Sequence, residues 1–301
     1  MPLQLELLVD AGGPLQPRMA TSQPARPYAE RAVPQRPDDL PDYTKPPLVE
    51  VALAIQHRPL PLRQGHLGLF WSRVRGDYPL TQDLPPFEPP PAMSGDGEPM
   101  ITLELGSNPR VNRAWFVGHD DTRLLQVQAD RFVANWRSRA GEDSYPRFES
   151  ILAEFSRSLE TFDQVLDDNG MPRRVSEQVE VTYVNWVPDC ALPDLLVDLT
   201  RRDDDGVPGI RTDERLAYRW VLEDQDPLPR NLQMNAHTAR RKEGDRVIPG
   251  CMATFTFSAP VPPEIADDDV QEAMSDGRNT IVRAFTAVTT PEMHDRWGRL
   301  K

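Results

Sequence analysis

Residues whose types could do chemistry are thinly spread along this 301-residue sequence. The five histidines, His57, His66, His119, His237 and His294, share no metal-ligand spacing on one element, so no metal is expected. Cys190 and Cys251 fall in no CxxC and no Cys/His pattern; they read as two buried, reduced thiols. Asp203-Asp204-Asp205-Gly206 lacks the later glutamate of a calcium loop and reads as a solvated turn. GxGxxG, P-loop, HExxH and GxSxG patterns are absent, so no catalytic residue and no cofactor is expected.

What remains is a set of recognition-type residues. His66 opens a helix, where capping is the plain reading and a site role the alternative. Asn135, Trp136 and Arg137 end a strand just before a helix begins. Asn185 and Trp186 end another strand. Aromatic and arginine side chains are common anchors of binding surfaces, although tryptophans at strand ends also serve as core. Arg240-Arg241-Lys242, a run of three basic residues, reads as a solvated hairpin tip.

The elements that would position these residues are easier to read. Residues 124–136 read as one strand, with Phe132 and Val133 breaking its alternation as a bulge would. Tyr145-Pro146 leads into a helix whose stripe is Ile151, Leu152, Phe155, Leu159, Phe162, Val165 and Leu166. Gly170 is placed to cap it in the left-handed region. Upstream, residues 48–56 form a strand and residues 66–78 a helix. Pro79–Pro99 is a proline-rich loop, and strands are expected over 100–105 and 113–117. Downstream come a strand over 178–187, a short helix over 192–200, and strands over 216–223, 232–240 and 251–258. A closing helix carries Val270, Ala273, Met274, Ile281, Ala284, Phe285 and Val288.

The expected fold class is therefore α+β. Residues 1–45 form a proline-rich, poorly structured arm, 46–172 a first half and 173–301 a second. Each half reads strand, helix, three strands, helix, as a pseudo-repeat with antiparallel sheets and helices packed on one face.

Several stretches resemble a sporadically distributed family of uncharacterised bacterial proteins. They are Pro46-Pro47-Leu48-Val49-Glu50-Val51, His66-Leu67-Gly68-Leu69-Phe70-Trp71 with Tyr78-Pro79, and Leu124-Leu125-Gln126-Val127-Gln128. Asn135-Trp136-Arg137, Tyr145-Pro146, Tyr183-Val184-Asn185, and the ending Phe285 to Thr289, Met293-His294 and Trp297-Gly298 complete the set. The resemblance spans residues 46–298. It implies an accessory or defence-type bacterial locus, and no activity or catalytic residue is carried over by it.

Bulk composition bounds the partners. A net charge of −13 argues against neutralising nucleic-acid backbone over a broad surface. No stretch approaches the ~20 apolar residues of a membrane span. Two reduced thiols fit a cytosolic compartment, so a cytoplasmic setting is expected. The functional expectation is a non-catalytic binding or assembly module acting with a protein or peptide partner. The alternative is an enzyme, or an enzyme subunit, with a composite site between the two halves.

Overall fold

The computed structural model describes residues 34–85, 113–139, 145–197, 214–222, 230–243, 245–261 and 267–301. The chain is mixed α/β, and among the described residues nine antiparallel strands join in a single sheet. The strands are β1 (Leu48–His57), β2 (Leu80–Leu84), β3 (Arg113–Val117), β4 (Arg123–Gln128), β5 (Arg131–Arg137), β6 (Ser176–Pro188), β7 (Arg215–Leu222), β8 (Arg230–Glu243) and β9 (Arg246–Pro260). The helices are α1 (Gln64–Val74), α2 (Phe148–Asp168), α3 (Leu192–Leu195), α4 (Asp267–Val288) and α5 (Pro291–Arg296). Strand order is β2-β3-β4-β5-β1-β6-β9-β8-β7, so β1 and β6 meet at the middle.

Alternation sorts the two faces of this sheet. Phe116, Leu125, Ala134, Leu53, Val181, Phe257 and Leu232 lie in one cross-strand row, and all are buried. The helices put their aromatic residues on that side. Phe155 of α2 meets Phe132 edge-on at 5.8 Å, Phe70 of α1 meets Phe116 at 5.4 Å, and Phe285 of α4 meets Phe255 at 5.8 Å. The opposite face carries Gln82, Trp115, Gln126, Glu180, Ser258 and Asn231 among others, and is largely polar.

The 124–136 stretch departs from its sequence reading. It is a hairpin, β4 turning into β5 through Ala129 and Asp130, with Gln128 opposite Arg131. The break in alternation marks a turn and not a bulge. The signal was weak because neither turn residue belongs to the Asn-Gly class. Tertiary contacts hold it instead: the Asp130 carbonyl accepts from His57 N–H (2.9 Å) and the Ala129 carbonyl from Leu60 N–H (2.8 Å). A second departure is β2, which lies inside the expected proline-rich loop. The first half thus shows four strands after α1 where three were expected; the expected strand at 100–105 lies outside the described residues.

Helix ends follow local rules. Gly170 has φ +63°, its N–H reaches the Asp167 carbonyl, and Met171 N–H reaches Leu166. That is the paired C-terminal cap glycine favours. On α4, Gly277 faces the sheet, where a Cβ would stand 2.6 Å from Phe257 Cδ1 and 3.0 Å from Val181 Cγ2. Glycine there lets α4 lie close on β6 and β9.

Of the expected arm, residues 1–33 lie outside the described residues. Residues 34–45 are packed: Leu40 is fully buried, Tyr43 bridges to Arg299, and Thr44 and Lys45 N–H groups donate to the Gly298 and Trp297 carbonyls.

Two outcomes follow from this packing. Gly277→Ala gains roughly 1 kcal/mol of helix propensity but overpacks against a buried ring, which costs about 1–3 kcal/mol. A net loss of stability in denaturant titration is expected, and a more stable variant would show that α4 has room to shift. The other outcome concerns His57, 1% exposed, whose Nδ1–H donates to the Arg58 carbonyl (2.9 Å). Burial drives its pKa down to about 4 from 6.5, with the Arg174 charge acting in the same direction. The unfolded chain therefore binds the extra proton first as pH falls. His57 costs nothing above about pH 6.5, and stability is lost progressively down to about pH 4. The stability advantage of wild type over His57→Phe should shrink by about 3 kcal/mol between pH 7 and pH 4. A pH-independent difference would contradict this.

Candidate functional site

The middle of the sheet carries polar features on both faces. On the helix side, the end of β1 is irregular: Leu48 pairs with Asn185 but Glu50 with Val184, so Val49 is an extra residue. Beside this bulge, β1, β6, α4, the 34–46 segment and the residues leading into α2 line a half-open cavity of about 60 Å³. Leu48, Ile281 and Phe285 supply apolar wall; Tyr145, Tyr183, Asn185, Arg147 and Arg278 supply polar atoms.

These polar groups are tightly arranged. Tyr145 and Tyr183 hydroxyls are 3.1 Å apart, and the Tyr145 ring lies 5.4 Å from that of Trp136. Burial pushes Tyr145 up to about 12 and raises Tyr183 well above its ordinary value, so both hydroxyls stay protonated at neutral pH. Asn185 donates to the Ala253 carbonyl at 3.1 Å. Arg278, 1% exposed, donates through Nη1 to Glu149 of α2 (2.8 Å), and its guanidinium lies 4.8 Å from the Phe148 ring centroid. Burial alone would raise the Glu149 carboxyl, but the Arg278 hydrogen bond and charge bring it below its usual value. The Nε and Nη2 groups of Arg278 are buried and meet no hydrogen-bond partner among the described residues.

Arg147 has an unusual backbone. It sits at φ +72°, ψ 150°, a region that L side chains rarely adopt, while its side chain donates to Asp42 at 2.9 Å. Such strain persists where surrounding structure over-determines it, and it clusters at working sites.

On the open face, a trough of about 200 Å³ crosses the same junction. Its floor is Ala52 and Ala54, and longer polar side chains rise beside them. Trp115 Nε1–H donates to Gln126 (2.9 Å), Gln126 to Asn135 (2.8 Å) and Asn135 to Glu50 (2.6 Å). Arg131 pairs with Glu180 at 2.9 Å, with both side chains mostly buried, and Gln178 also donates to Glu180 at 2.7 Å.

The six residues singled out on sequence do not converge. Asn185 lines the helix-side cavity, and Trp136 reaches it through Tyr145. Asn135 belongs to the amide row on the other face. Arg137 is taken up by Asp121 at the β3–β4 turn. His66 accepts from Arg63 N–H (3.0 Å) and so caps α1. Trp186 is buried on the open-face side, opposite Met252. The residue missed was Arg278. Its signal was present: it falls in step with Met274, Ile281 and Phe285, a charge inside an apolar helical stripe. Among the described residues, no cluster of three or more His, Cys, Asp or Glu could hold a metal. Both thiols are free, and Cys251 donates to the Cys190 carbonyl.

The chain matches no family model and no curated protein. No described helix is long and apolar enough to cross a membrane.

Arg147→Gly separates backbone strain from side-chain pairing. Relief of the strained conformation is worth roughly 1–3 kcal/mol, and the half-exposed pair with Asp42 contributes about 0–1 kcal/mol. Thermal unfolding should therefore show a net gain in stability. A loss would mean that the Arg147 side chain contributes more than its conformation costs.

Proposed function

We propose that the protein is a non-catalytic binding or assembly module acting with a protein or peptide partner, and that it contacts the partner at the open-face trough. The observation that carries this is the trough itself. A floor of two alanines between rows of glutamine, asparagine, arginine and glutamate makes a groove rich in amide donors and acceptors, suited to an extended chain.

The two halves are a duplication that built this junction. Chain order supports that reading: after β1 comes α1, and the following strands return until β5 lies beside β1. After β6 comes α3, and the following strands return until β9 lies beside β6. Helices cover one face of each half, and the other face is left for the partner. A cytoplasmic setting and an accessory or defence-type locus belong to the same reading; the family resemblance supports the locus. Broad nucleic-acid binding is disfavoured by the net charge of −13.

The competing reading is an enzyme or enzyme subunit with a composite site between the halves. The Tyr145–Tyr183 pair favours it, because perturbed ionisable groups in a cavity are the usual mark of such sites.

Ala52→Arg fills the trough without touching the buried face. Affinity capture from the native host should lose the partner that wild type recovers, while the melting temperature moves by no more than about 2 °C. A folded variant that still recovers the same partner overturns the placement on the open face.

A further inference from the structure

We propose that the helix-side cavity beside Arg278 binds a short-chain monocarboxylate, with the carboxylate on the guanidinium and the aliphatic end against the apolar wall.

Arg278 is 1% exposed and makes one ion pair, through Nη1 to Glu149. Nε and Nη2 are buried and meet no partner among the described residues. A guanidinium offers its N–H groups in a planar fork that fits a carboxylate with two parallel bonds. Buried donors of a charged group are seldom left unmatched, because desolvation without a replacement bond is costly.

Charge count points the same way. Arg36, Arg147 and Arg278 line the cavity. Arg36 and Arg147 both pair with Asp42, at 3.4 and 2.9 Å, and Arg278 pairs with Glu149. Three positive groups against two carboxylates leave one positive charge, in a protein whose net charge is −13. A single monoanion balances it; a dianion would leave a buried negative charge.

The walls and the size set the rest of the ligand. Leu48, Ile281, Val282 and Phe285 present apolar surface. One water requires about 10–15 Å³ of such space. A cavity of about 60 Å³ therefore takes about four to six non-hydrogen atoms, the range from acetate to butyrate. The Tyr145–Tyr183 hydroxyl pair uses one of its two protons internally, and the other is left to donate to a carboxylate oxygen.

The test uses the full chain. Acetate, propionate and butyrate are titrated by calorimetry and by thermal shift, with chloride and phosphate at matched ionic strength. Saturable binding of the carboxylates is expected, butyrate above acetate, at least tenfold weaker in Arg278→Gln and lost in Val282→Phe, which fills the cavity. No saturable response, or equal responses to chloride and phosphate, overturns the proposal. So does butyrate binding that survives in either variant once it is shown to be folded. Should both variants fail to fold, a crystal structure of the wild-type chain with butyrate decides: density at Arg278 Nε and Nη2 supports the site, and density elsewhere or none overturns it. The proposal is independent of the open-face reading, since Ala52 has no part in this cavity and Ala52→Arg should leave butyrate binding unchanged.

Discussion

β1 is hydrogen-bonded on both edges, to β5 on one side and to β6 on the other. Its pairing with β6 runs from Leu48 to His57 and is antiparallel throughout, so two runs of strands that could each have made a separate sheet share one. Once that pairing is made, the alternation of β1 dictates which side of the whole sheet is apolar. Val51, Leu53 and Ile55 point to the helices, and Ala52 and Ala54 point away. A shift of one residue would exchange the two sets and bury the amide row.

The same pairing sets where polar groups can gather. The floor of the open trough is shallow because β1 places alanines there, and the flanking strands place longer side chains on either side. On the helix side the ladder loosens at Val49, and the chain before β1 turns across the end of the sheet to meet Trp297 and Gly298. That crossing, with α4 held close by Gly277, leaves a half-open space beside Arg278 instead of filling it. The cavity is a consequence of packing two layers around an irregular strand end.

The Arg278–Glu149 pair, buried at its arginine end, ties α4 to the first turn of α2. Such a pair, with Arg278 buried and Glu149 part-exposed, is weak evidence for stability, because desolvating the guanidinium offsets much of the attraction. Apolar residues of similar volume would hold the two helices at least as well. An arginine with two unmatched donors at that position is better understood through what it can bind.

Local and periodic features were legible in the sequence by itself. The stripe on α2, the alternation of β6 and β9 and the glycine cap at Gly170 depend on residues close in sequence, where spacing carries the physical signal. The α+β class followed from them. The tertiary structure decided what depends on distant partners: that β1 and β6 join one sheet, that Ala129-Asp130 is a turn held by His57 and Leu60, and that residues 34–45 pack against the C-terminal end. It also decided the site. Asn135 and Trp136 are neighbours in sequence but face opposite sides of the sheet, because strand alternation separates adjacent residues. Asn185 and Arg278 are 93 positions apart (278 − 185) yet line one cavity, because helix packing brings distant elements together.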